Sequence, residues 1–94
     1  MENCLFCKII RGEIPSTKVY EDENTYAFRD INPQAPTHIL VIPKAHIGSV
    51  AEITAENSAV VAHIFEVIAK VAAQEGLTEG YRVVSNCGAH AGQT

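Results

Sequence analysis

One stretch dominates what this chain can fold into: "TAENSAVVAHIFEVIAKVAAQEG", residues 54–76. Val60, Ile64, Val67, Ile68 and Val71 recur there at the spacing of one helix face. Thr54 is a natural N-cap, Glu56 falls in the expected first turn, and Gly76 follows the last turn. The β-branched residues lower intrinsic helix propensity, but the length and the period outweigh that. A long helix with one apolar stripe must bury it against another layer.

The rest of the chain offers short strands for that layer. "NCLFCKIIRGEIP" reads as a short helix, with Asn3 as its cap, Gly12 at its end and Pro15 just beyond. "KVYED" and "TYAFRD" read as two strands around an acidic turn at Glu23-Asn24. "DINPQAPTH" is a loop stiffened by Pro33 and Pro36, and "HILVIP" is an apolar run expected to be a strand buried on both faces. "YRVVSN" is a fourth strand. The order α-β-β-β-α-β predicts an α+β fold: a mainly antiparallel sheet with one long and one short helix. Helices over one face would leave an apolar face or edge for a second subunit.

Ninety-four residues with 47% hydrophobic content suit a single domain with a packed core. At this size a dimer interface or a bound metal would add needed stability. A net charge of −4 argues against broad nucleic-acid or membrane-surface binding. It leaves room for a small anion held by backbone amides. "MENCLFCKII" has an acid where a signal peptide is basic, and no apolar run reaches membrane-span length. With three cysteines, an odd number, the chain is expected to be cytoplasmic.

Several residues can carry chemistry. Cys4 and Cys7 share one face of a helix or turn, a spacing that suits two thiolates on one tetrahedral zinc. Plain thiols explain the pair too, and a thioredoxin-like role fits poorly because that motif follows a strand. His46, after "VIPKA", reads as a metal ligand or a surface imidazole. His38 opens the buried strand and can line a cleft, whereas His63 reads as a helix-face residue without a special role. Asp30, where a strand leaves the sheet, can accept hydrogen bonds from two vicinal ribose hydroxyls, or simply cap the next turn. In "NCGAHAGQT", Gly88 and Gly92 permit close backbone approach to a phosphate, with Asn86, Gln93 and Thr94 as side-chain donors. A plain turn explains the glycines equally well.

Taken together, "CLFCKIIRGEIPSTKVYEDENTYAFRDINPQAPTHILVIPKAHI", the long helix and "GYRVVSNCGAHAGQT" closely resemble the histidine-triad (HIT) family, in its Hint-like branch. The resemblance covers essentially the whole chain and is most diagnostic in "AFRDINPQAPTHILVIPKAH" and "AGQT". It implies a homodimer with a five-stranded sheet per subunit. It also implies binding of purine nucleotides such as AMP and hydrolysis at the nucleotide α-phosphate, of nucleoside phosphoramidates or acyl-adenylates. By the same resemblance, Asp30 holds the ribose hydroxyls, and Phe28, Ile31 and His38 surround base and ribose. Asn86 stands beside the phosphate, and Gly92, Gln93 and Thr94 form the α-phosphate loop. Cys4, Cys7 and His46 match three ligands of the structural zinc that many bacterial relatives carry.

The sequence also departs from the family pattern. The family's His-x-His-x-His strand follows the "AGQT"-like loop, and this sequence stops at Thr94. The expectation is a HIT-like domain over 1–94 that is C-terminally incomplete and lacks the fifth strand, the nucleophilic His, its supporting His and the fourth zinc ligand. His90 lies inside the loop and does not replace them. Such a chain would be inactive, with "YRVVSN" deprived of its neighbour. The alternatives are a non-catalytic nucleotide- or protein-binding module, and a redox or zinc scaffold built on Cys4 and Cys7.

Overall fold

The computed structural model describes residues 5–45, 47, 50–85 and 87. Its elements are α1 (Leu5–Ile10), β1 (Lys18–Glu21), β2 (Thr25–Arg29), β3 (Ile39–Pro43), a 3-10 turn (Val50–Glu52) and α2 (Ser58–Gln74). The strands form one antiparallel sheet in the order β1-β2-β3. The α+β expectation holds, with one short and one long helix.

The expected β1–β2 hairpin forms around Asp22. Its Oδ1 accepts the backbone N–H groups of Asn24 at 2.8 Å and Thr25 at 2.9 Å. A short acceptor side chain that satisfies two turn amides explains why the chain reverses here. The pairing shifts between Lys18 and Tyr20 by a bulge, so the neighbours Val19 and Tyr20 both reach the side of the sheet that faces α2.

β2 is the central strand and divides the core in two. Tyr26 and Phe28 point to one face and pack with Ile9 of α1 and Ile42 of β3. Ala27 points to the other and packs with Val67 and Val71 of α2. The alternation follows from the two-residue period of a strand. Helices therefore cover both faces of the sheet, which corrects the expectation of cover on one face only. The short N-terminal helix has enough apolar residues, with Phe6, Ile9 and Ile10, to close the second face.

Both helices end as their glycines predict. Gly12 and Gly76 adopt φ of 79° and 72°. At α1, Gly12 N–H bonds Ile9 O and Glu13 N–H bonds Lys8 O; at α2, Gly76 N–H bonds Ala73 O and Leu77 N–H bonds Ala72 O. This paired pattern satisfies carbonyls that a helix end otherwise leaves bare.

Three further expectations need correction. Thr54 does not cap α2: its hydroxyl takes the N–H of Glu56 in a turn that precedes the helix, and Asn57 stands at the cap position. The Asn57 side chain bonds Thr54 N–H and Glu52 O instead of the helix amides. β3 is half-buried along most of its length, with only Ile42 fully covered, because it is an edge strand among the described residues. Residues 81–85 of "YRVVSN" form no strand, and Tyr81, Val83 and Val84 are exposed. β-branched sequence makes a strand only where a neighbouring edge supplies hydrogen bonds, and no described strand pairs with this segment.

Two polar ties lock α2 to the hairpin. His63 Nε2 lies 2.6 Å from Asp22 Oδ2, and Tyr20 Oη donates to the same oxygen at 3.0 Å. At the other end, Arg29 Nη2 donates to Glu75 Oε2 at 2.9 Å. The His63 bond, then the Asn24 amide, hold the Asp22 carboxyl well below the usual carboxylate range.

Two measurements check this account. Val67 is completely buried between α2 and β2, so Val67→Ala should lower stability by about 2 kcal/mol, read as a lower midpoint in chemical denaturation. A depressed carboxyl stabilises the fold at pH values above its unfolded pKa, about 3.9, and that contribution fades as pH falls below it. Melting temperature should therefore drop below about pH 4, less steeply in Asp22→Asn. Identical slopes would remove Asp22 from the acid response.

Candidate functional site

The loop from β2 to β3 is built around one imidazole. Asp30 follows β2 and His38 precedes β3, and the Asp30 N–H donates to the His38 carbonyl at 3.0 Å, closing the loop at its base. Antiparallel pairing of Arg29 with Ile39 puts these two residues side by side. Between them, His38 Nδ1 accepts the backbone N–H of Gln34 at 2.9 Å. The other ring nitrogen, Nε2, stands 3.3 Å from Asp30 Oδ2. Asp30 Oδ1 accepts the N–H of Asn32 at 2.8 Å, and the Gln34 side-chain amide donates to Asn32 O at 3.2 Å.

This arrangement shows what the Asp30 carboxylate can still do. An ionised carboxylate has roughly four acceptor positions. Among the described residues, Asn32 engages Oδ1 and His38 faces Oδ2. Each oxygen keeps capacity for a further donor, and the Asp30 side chain is 22% exposed. Two adjacent hydroxyls are the kind of ligand that pairs with two oxygens held this way. Next to the carboxylate, Ile31 is 86% exposed, an apolar surface available to a flat ligand.

The other expected site residues divide sharply. Phe28 is almost fully buried, at 3% exposure, against Phe6 and Tyr26, with ring centroids 6.2 and 5.7 Å away. Its ring belongs to the core between α1 and the sheet. Cys7 is buried in α1. Cys4, His46, Asn86, Gly92, Gln93 and Thr94 lie outside the described residues, as do Gly88 and His90. Among the described residues no three His, Cys, Asp or Glu side chains cluster closely enough to hold a metal. No helix among them is long and apolar enough to cross a membrane.

Two features escaped the sequence reading. His63 was expected to have no special role, yet it bonds Asp22. A signal was available: His63 precedes the buried Val67 by one helical turn and so shares the packed face of α2. The bond from the Gln34 amide to His38 had no sequence signal, because any residue but proline at that position supplies the same N–H.

Residues 3–94 match the family described as "Scavenger mRNA decapping enzyme C-term binding". The purine nucleoside phosphoramidase of Escherichia coli K12 is 50% identical over 93 residues, spanning 98% of this chain and 78% of that protein. A 14 kDa zinc-binding protein of Zea mays is 55% identical over 86 residues, spanning 89% of this chain and 67% of that protein. Among solved structures, a HIT family hydrolase from Clostridium thermocellum superimposes with a TM-score of 0.96 at 53% identity, covering 100% of this chain and 83% of that one.

Proposed function

The chain belongs to the histidine-triad (HIT) family, and on that premise we propose that it binds a purine nucleotide such as AMP and serves hydrolysis at the nucleotide α-phosphate. The substrate class is a nucleoside phosphoramidate or an acyl-adenylate. The observation that carries this reading is the Asp30 carboxylate, oriented by Asn32 and His38 with acceptor capacity left on both oxygens. The likeness to a purine nucleoside phosphoramidase at 50% identity supports it.

In this reading Asp30 accepts the two ribose hydroxyls, one on each oxygen. Ile31 covers an apolar face of the nucleoside, and Phe28 stands near the base and ribose. Asn86, Gly92, Gln93 and Thr94 supply donors to the α-phosphate and stabilise charge that develops on its oxygens. The nucleophile is assigned to a histidine of the family's His-x-His-x-His motif, a motif that residues 1–94 do not contain. Its ring nitrogen bonds to phosphorus as the bond to the leaving group breaks, and water then cleaves the nucleotidyl-histidine. The functional unit is a homodimer of this single domain in the cytoplasm, without nucleic acid or membrane as partner.

Zinc fits the donor set of Cys4, Cys7 and His46, since two thiolates and an imidazole suit a tetrahedral ion. α1 carries Cys7 on the sheet face that holds Ile42, a few positions before His46 in sequence. When bound, the ion would tie the N-terminal helix to the end of β3 and take no part in phosphorus chemistry.

Calorimetry with AMP tests the nucleotide site. Asp30→Ala should weaken binding about tenfold or more, as expected for hydrogen bonds to a charged acceptor. Unchanged affinity would remove Asp30 from the site. Residues 1–94, which contain no His-x-His-x-His motif, should not turn over adenosine 5′-phosphoramidate, and turnover would overturn the assigned nucleophile. Metal analysis of protein purified without added zinc should find bound zinc that is lost in Cys7→Ser. Zinc retained in that variant would exclude Cys7 as a ligand.

A further inference from the structure

We propose that His38 is a positioning residue for Asp30, and that a locked ring tautomer lets it set the preference for a vicinal diol over a single hydroxyl. The inference rests on the nucleotide reading above and names how that site discriminates among nucleotides.

The argument starts from the backbone. The Gln34 N–H points at His38 Nδ1 at 2.9 Å. A ring nitrogen that accepts a hydrogen bond carries no proton, so the ring proton belongs to Nε2. Nε2 is the atom that faces Asp30 Oδ2 at 3.3 Å. The main chain therefore selects the tautomer that presents an N–H to the carboxylate.

The consequence for Asp30 is geometric. The Asn32 N–H holds Oδ1 at 2.8 Å. One anchored oxygen leaves the carboxylate plane free to turn about the side-chain bond, which has a broad torsional minimum. The Nε2–H facing the second oxygen at 3.3 Å restricts that plane. With Oδ1 anchored and Oδ2 faced by the ring, the two remaining acceptor directions are set together, as a pair of neighbouring hydroxyls requires. A ligand with one hydroxyl gains little from the second constraint. His38 acts through Asp30 and need not touch the phosphorus.

Two substitutions separate the roles of the ring nitrogens. In His38→Asn the side-chain oxygen can still accept from Gln34, but nothing reaches Asp30. In His38→Gln the longer side chain can still bring an N–H to Asp30. Binding of AMP and 2′-deoxy-AMP is measured for wild type and both variants by calorimetry. Wild type should favour AMP by about tenfold. His38→Asn should bring the two affinities together without lowering the melting temperature, and His38→Gln should restore the preference. A wild-type ratio in His38→Asn would overturn the proposal.

Nitrogen-15 NMR of the His38 ring reads the tautomer without any nucleotide. The expected signature is an unprotonated Nδ1 and a protonated Nε2 whose signal moves in Asp30→Ala; a protonated Nδ1 would overturn the proposal. The expected signature in a wild-type protein that fails to bind AMP would instead overturn the nucleotide reading, and the diol preference with it, leaving the His38–Asp30 pairing in place.

Discussion

Everything in this fold depends on the two-sided burial of β2. Ala27 is fully covered on one face and Phe28 nearly so on the other. Burial on both faces leaves no register error that water could tolerate, because a one-residue slip would exchange Ala27 for Phe28 beneath α2. The small residue allows α2 to approach closely through Val67 and Val71, and the large ones fill the wider gap under α1. Apolar burial of this kind supplies the main driving force. The polar ties at Asp22 and Arg29 then decide where each end of the strand stops.

The candidate site grows from the end of that strand. Arg29 completes the ladder with β3 and bonds α2, and the next residue is Asp30. The candidate carboxylate thus sits on the first residue beyond a rigid element. The loop that follows is held by internal hydrogen bonds to its own backbone, with His38 at the centre. A recognition group needs this combination, because a carboxylate on a loose loop would lose entropy each time it bound.

Much of this was legible in the sequence, and the limits have physical causes. The long helix, the hairpin and both helix-ending glycines could be read because each has a local cause: an apolar period, an acidic turn at Glu23-Asn24, a positive φ. The place of Asp30 at a strand end left it open between a ligand-binding carboxylate and a cap of the next turn, and its bond to the Asn32 N–H is that of a cap. The cover on both sheet faces could not be read, since it depends on whether a six-residue helix packs well enough to matter. Thr54 misled because its hydroxyl had a competing local partner in Glu56 N–H. Residues 81–85 misled because strand formation is decided by neighbours, and β propensity alone does not supply them. His63 was underestimated because its partner Asp22 is distant in sequence.

The two ties between α2 and the hairpin act together as a gauge of length. From His63 to Glu75 the helix advances about 18 Å at its standard rise. Thr25 to Arg29 covers about 13 Å of strand, and the turn at Asp22 extends the reach beyond that. Helix and strand are therefore matched spans pinned at both ends, and sliding one along the other would break both pins at once. Each bond is partly exposed and modest in energy, yet the pair removes a direction of motion. Asp30, one residue past the second pin, inherits its position from a helix it never touches in sequence.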